Sequence, residues 1–204
     1  MIEGKDYIYI SPPNTGGQAV RKWLIKHEGG KMIGKSYDAI VPDTANKREI
    51  TKFLLSVRNP YERCLSMWWW SCMAPERLEK CHLYGLSFMR YMERLIWFRD
   101  HLDYGHETPY VYETQSQYSI RAFFMKEGVH AIRYECASHD LEQVFPDEAP
   151  RAFTVISKSN RPKVHSGKFL SGAEEAMVWE YCQEDFEQFG YERLPRVKGK
   201  SRCW

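Results

Sequence analysis

No apolar run in this 204-residue chain approaches the roughly 18 residues that a membrane-crossing helix needs, so no span is expected. No basic-then-apolar leader is expected either. MIEGKDYIYIS enters strand-like alternation almost at once, and the expectation is a soluble, cytoplasmic protein or a domain trimmed from a longer lumenal one. Charge of one sign is not in excess: 29 Lys and Arg face 27 Asp and Glu, a formal net charge of +2. No global field draws nucleic acid or an anionic membrane, and any anion site must be local. Cysteines are few and scattered, at positions 64, 72, 81, 136, 182 and 203, with no CxxC pair. Reduced structural thiols are therefore expected, with neither a metal site nor a disulfide framework. Repeats and low-complexity tracts are absent as well.

What is there suits one buried core: 43% of residues are hydrophobic and 15% aromatic. A single domain over residues 1–195 is expected, followed by a basic tail over 196–204. Short apolar runs predict strands at Tyr7–Ser11, Phe53–Val57, Val129–Tyr134 and Phe153–Ser157, with a weaker one at Tyr37–Val41. Helical patterns lie between them at Gly17–His27, Tyr61–Met73, Leu86–Leu102, Gln117–Met125, His139–Val144 and Ser171–Phe189. In the third of these, Phe88, Met92, Leu95, Phe98 and Leu102 form a core-facing stripe. Strands alternating with helices predict a three-layer α/β fold, a central, mostly parallel sheet flanked by helices. Such a sheet receives ligands at the carboxyl ends of its strands.

Two segments carry chemistry. In the first, the strand from Tyr7 runs into a Pro/Gly-rich loop, PNTGGQ at Pro13–Gln18, and then into an amphipathic helix. Gly16 and Gly17 allow close backbone approach, and the amides opening the helix would meet an anion with the favourable end of the helix dipole. The spacing GxxxxGK(S/T) of a Walker loop is absent, and no Lys stands at the helix start. In the second segment, a buried strand delivers Arg58 at its carboxyl end, and Ser66 lies one turn beyond Glu62 and Arg63 on the next helix. A planar guanidinium there suits a phosphate and a hydroxyl adds a neutral donor, whereas Arg63 is open to an internal salt bridge.

Together, PNTGGQ and VRNPYERCLSMW (Val57–Trp68) resemble the 5′-phosphosulfate loop and 3′-phosphate segment of the membrane-derived carbohydrate sulfotransferases, whose patterns run approximately PKTGGTS and VRxPxxRxxSxY. Further echoes follow in order: Ser87-Phe-Met-Arg-Tyr-Met, Thr114-Gln-Ser-Gln-Tyr, the RYE of His130–Glu135, and the YxxDFxxFGY-like stretch Glu180–Tyr191. The likeness covers approximately residues 6–192. It implies a P-loop NTPase-like sulfotransferase fold and transfer of a sulfuryl group from 3′-phosphoadenosine 5′-phosphosulfate, without a metal, to a hydroxyl or amine acceptor, carbohydrate foremost. Carried over by position, Asn14, Thr15, Gly16, Gly17 and Gln18 would bind the 5′ end, Arg58 and Ser66 the 3′-phosphate, and Lys158 and Asn160 would contact the donor from a later loop.

This chain departs from the pattern where the family usually has Lys: it has Asn14, and Gln18 replaces a loop hydroxyl. A cation there stabilises charge on the oxygen from which the sulfuryl group departs, worth roughly 2–4 kcal/mol by analogy with one oxyanion-hole donor. Replacements at hand are Arg21 and Lys22, one turn into the helix, and Lys158, within the acid-free stretch from Ala149 to Ala173. The acceptor also needs a general base; Asp38, where a related His falls, is the choice, with Asp43 its rival. Trp68, Trp69 and Trp70 would spread over about 200° of a helix, too wide for one buried face, so one of them is expected to be exposed or to line a cleft for an acceptor. Two other readings stay open, a nucleotide- or phosphate-binding protein that has lost catalysis and a P-loop kinase.

Overall fold

Tyr7–Ile10 (β2), Lys52–Val57 (β4) and Val129–Arg133 (β5) lie side by side in parallel register, with Ile10 beside Leu55 and Val57 beside Arg133. The computed structural model describes residues 1–33, 50–73, 83, 85–101, 114–117, 129–146 and 170–193. They fall into two units, one built on Met1–Arg58 and Gln115–Asn160, the other on Asn59–Thr114 and Arg161–Arg202.

The first unit holds the sheet, which also includes Ile2–Glu3 (β1) and Lys31–Met32 (β3), in the order β3-β1-β2-β4-β5. The sheet is mixed, which corrects the expectation of a mostly parallel one. β1 pairs antiparallel with β2, and β3 pairs antiparallel with β1. Strands of two residues have no alternation to read, so nothing in the pattern announces them. Between β1 and β2 the chain turns tightly, the Gly4 amide donating to the Tyr7 carbonyl, and the Tyr7 ring fills the place of a Gly4 side chain. One sheet face, through Tyr7, Tyr9, Leu54 and Ile132, shares a core with Val20 and Leu24 of helix Gly17–His27 (α1). Ala137, Leu141 and Val144 of helix Ala137–Val144 (α4) join the same core. The other face, with Ile8, Ile10, Leu55 and Val57, is buried as well. Burial on both faces is why these strands read as continuous apolar runs.

The second unit is helical among the described residues: Pro60–Trp68 (α2), Phe88–His101 (α3), Gly172–Tyr181 (α5) and Gln183–Phe189 (α6). Asn59 caps α2, its side-chain oxygen accepting from the amides of Tyr61 and Glu62, with Pro60 at the first helical position. After Trp68 the helix widens into a π-turn, Trp69–Met73, so the expected helix over Tyr61–Met73 changes pitch partway. From α3, Phe88, Tyr91, Met92 and Leu95 are buried in one cluster with Tyr61, Cys64 and Leu65 of α2 and with Val178, Tyr181 and Phe186. The helix expected over Ser171–Phe189 is broken at Cys182, whose backbone leaves helical geometry at φ −111° and ψ 20°. Buried positions keep helical spacing across the break, from Val178 and Tyr181 to Cys182, Asp185, Phe186 and Phe189, which hides it from the pattern.

The thiols of Cys64 and Cys182 stand 3.7 Å apart in this core, and both are free, as is buried Cys72. Burial, and then the hydrogen bond to Cys64, push the Cys182 thiol well up. Cys136 is disulfide-bonded, which corrects the expectation of reduced thiols throughout. Its fellow cysteines are all distant in sequence, so no spacing betrays the bond. No helix among the described residues is long and apolar enough to cross a membrane. The expected elements at Tyr37–Val41 and Phe153–Ser157 and the tail at 196–204 lie outside the described residues, as does most of Gln117–Met125.

Candidate functional site at the carboxyl ends of the strands

Beyond Ile10 the chain leaves β2 through Ser11 and Pro12 and turns sharply. Asn14 takes a left-handed conformation at φ 64°, the one non-glycine residue to do so among those described. Asn tolerates this region better than a long side chain such as Lys, so local backbone geometry suits the residue found here. Gly16 follows at φ 78° as the cap of α1. A side chain on Gly16 would fall 2.1 Å from the Tyr134 ring, and one on Gly17 would meet the Ser11 hydroxyl. Both glycines are thus needed for space, and Gly16 for its backbone conformation also.

The loop is held from beneath by hydroxyls. Thr15 is buried and donates to the Pro12 carbonyl at 2.8 Å, with its oxygen 3.2 Å from that of Ser11. Its hydroxyl is therefore committed to the loop itself. Tyr9 hydrogen-bonds Ser56 of β4 at 2.5 Å and donates to the Gly17 carbonyl at 3.2 Å. Burial pushes the Tyr9 hydroxyl up to about 12, against hydrogen bonds to Ser56 and Ser11 and the nearby charge of Arg21. The start of α1 has no side-chain cap and no acidic residue in its first turn. A helix start of this kind, backed by the helix dipole, can accept an anion. Gln18 is exposed on that first turn.

Two cations flank the loop among the described residues of this unit. Arg58 follows β4, half-buried, with Nη1 donating to the Asn14 carbonyl at 3.4 Å and its guanidinium 5.2 Å from the Tyr134 ring centre. Buried Gln115 grips the Arg58 backbone from both sides, accepting from its amide at 2.7 Å and donating to its carbonyl at 2.8 Å. Arg21 of α1 is buried, and its Nε donates to the Gly17 carbonyl at 3.3 Å. Lys22, the alternative on the same helix, is exposed.

Asn14, Thr15, Gly16, Gly17 and Arg58 are thus gathered in one place. Tyr134 and Gln115 belong to the same constellation. The sequence quotes both, in RYE and in TQS, yet neither spacing nor residue type assigns them a role. Tyr134 is fixed by its neighbour: Asp140 of α4 accepts from the Arg133 amide, Nε and Nη2 at 2.7, 3.0 and 2.6 Å. That paired grip orients the turn leaving β5. Ser66 lies half-buried on α2 in the other unit. Arg63 is fully buried there, and its charge, like that of Asp185, bears on the Cys182 thiol, so it serves the interior of that unit.

The three tryptophans are all half-buried. Trp68 donates from Nε1 to the Leu86 carbonyl at 2.8 Å and packs edge-on against Phe88, whereas Trp69 and Trp70 pack edge-on against each other. Asp38, Asp43, Lys158 and Asn160 lie outside the described residues. A separate cavity of about 280 Å³ lies at the amino ends of β2 and β4, lined by Lys5, Asp6, Tyr7, Glu28, Lys52, Phe145 and Pro146. There Lys52 pairs with Asp6 at 3.0 Å and lies over the Phe145 ring. The geometry at the opposite strand ends has to speak for itself, because no protein-family model, no curated protein and no solved structure matches this chain.

Proposed function

We propose that the chain is a sulfotransferase of P-loop-like α/β fold that takes a sulfuryl group from 3′-phosphoadenosine 5′-phosphosulfate to a hydroxyl or amine acceptor, a carbohydrate foremost. The observation that carries the reading is the uncapped start of α1 behind the Asn14–Gly17 loop, flanked by the cations Arg21 and Arg58. An anion is what such a place accommodates. The residues present fit a nucleotide with phosphate at both ends. The amides of the loop and of the α1 start would hold the 5′ end. Arg58, its backbone held by Gln115 and its guanidinium against Tyr134, would hold the 3′-phosphate, the group to which the resemblance also assigns Ser66. Lys158 and Asn160 are assigned further donor contacts.

When bound, the donor supplies a sulfuryl group whose bond to the phosphate oxygen breaks as one to the acceptor oxygen forms, with 3′-phosphoadenosine 5′-phosphate left behind. Asp38 is assigned to take the acceptor's proton, and fixed donors of the loop to offset charge on the leaving oxygen. The disulfide at Cys136 supports a lumenal domain over a cytoplasmic protein, since reducing compartments keep thiols open.

Asn14 favours a second reading, binding without catalysis, because an uncharged side chain stands where the resemblance implies Lys. Labelled sulfuryl donor incubated with a panel of glycan and small hydroxylated acceptors separates the two. Transfer to any acceptor supports the enzyme; tight binding of the bisphosphate with no transfer supports the binding protein. A thermal shift with ATP and Mg²⁺ and none with the bisphosphate would favour a kinase and overturn both.

A further inference from the structure

Arg21 is 9% exposed, and a buried cation is costly unless something balances it. Nothing in the protein does so among the described residues. Its one hydrogen bond runs from Nε to the Gly17 carbonyl at 3.3 Å, and no carboxylate pairs with it. The first turn of α1 carries no acid. The side chain leans back along α1 by one full turn, from position 21 to the carbonyl of 17, as helical side chains do. This brings the charge beneath the loop, close enough to the Tyr9 hydroxyl to bear on its ionisation. A guanidinium that reaches the amino end of a helix without a counter-ion lacks an anion, and the adjoining uncapped amides point to where that anion would lie.

We infer that Arg21 supplies the positive charge that loop position 14 lacks, and that its guanidinium binds the 5′ phosphate or phosphosulfate end of the donor. The inference rests on the proposed donor reading and makes one part of it specific, since Arg21 is assigned to the 5′ end alone. Arg is suited to this place because its charge cannot be lost on burial and its outer nitrogens stay available while Nε is anchored. It also explains how Asn14 can occupy a left-handed turn that suits Lys less well: the charge enters from the helix beneath and not from the loop.

Calorimetric titration of wild type, Arg21→Gln and Arg21→Lys tests this, with 3′-phosphoadenosine 5′-phosphate and adenosine 3′-monophosphate as the two ligands. Arg21→Gln is expected to weaken the bisphosphate by about tenfold or more, the loss carried by one charge-assisted hydrogen bond. Its affinity for the monophosphate, which has no 5′ group, should stay that of wild type, and Arg21→Lys should fall between. Unchanged bisphosphate affinity in Arg21→Gln, or equal losses for both ligands, overturns the assignment of Arg21 and leaves the donor reading standing. Failure of the wild type to bind the bisphosphate overturns both. Ligand-free melting gives an independent check: Arg21→Gln removes an unbalanced buried charge and should melt at or above wild type, whereas a clear drop would mark Arg21 as a structural strut and overturn the inference.

Discussion

Among the described residues, two arginines are buried on helices of different units, Arg21 on α1 and Arg63 on α2. Arg63 is 0% exposed, and so is Asp185. Their opposite charges both bear on the Cys182 thiol, Arg63 easing its ionisation and Asp185 opposing it. Among the described residues Arg21 has a carbonyl for company and no acid. The starts of helices repeat the contrast. Ser171 closes the start of α5 with a reciprocal capping box, its hydroxyl accepting from the Glu174 amide while the Glu174 carboxylate accepts from the Ser171 amide. The start of α1 is left open by Gly16. Where charge and amides are balanced from within, they serve the fold; where they are left unbalanced, they are suited to a ligand.

The comparison breaks first at Arg63. Arg63→Ala removes a fully buried cation whose charge, with that of Asp185, bears on the Cys182 thiol, and should cost about 3–5 kcal/mol in urea denaturation; a cost below about 1 kcal/mol would show that Arg63 is no better balanced than Arg21. Next is the hydroxyl network under the loop. Tyr9 ionises near 12 in the folded protein and near 10 unfolded, so its contribution is intact below pH 10 and is lost as pH rises towards 12. Stability should fall by about 2 kcal/mol between pH 9 and pH 12 from this group, and Tyr9→Phe should remove that part of the decline. Gly16→Ala forces a side chain into a left-handed turn and against Tyr134, at a cost of about 1–2 kcal/mol from the backbone alone. The smallest effect is expected at the closed helix: Ser171→Ala should lose about 1 kcal/mol by thermal denaturation, the ordinary price of a cap.

Sequence reveals the balanced and unbalanced parts unequally. The bounds of α1 follow directly from the glycine pair and the amphipathic stripe, and β4 from its apolar run ending at Arg58. The short strands β1 and β3 do not, because pairing, not composition, makes two residues a strand. The break at Cys182 is invisible because buried spacing continues through it. At the site, the loop and Arg58 are legible as residue types in order. Arg21 is legible only as one candidate cation among several, since burial and the lack of a counter-ion are properties of its surroundings. Tyr134 and Gln115 are legible as letters alone; one acts through its ring on Gly16 and Arg58 and the other through the Arg58 backbone, contacts made across long stretches of chain.

The central claim is an anion-binding nucleotide site at the carboxyl ends of β2 and β4, and titration of 3′-phosphoadenosine 5′-phosphate into wild type and Arg58→Ala tests it most directly. Saturable one-to-one binding by the wild type, lost in an Arg58→Ala protein that still melts cooperatively, is the expected result; no binding by the wild type, or equal affinity in both proteins, would contradict it.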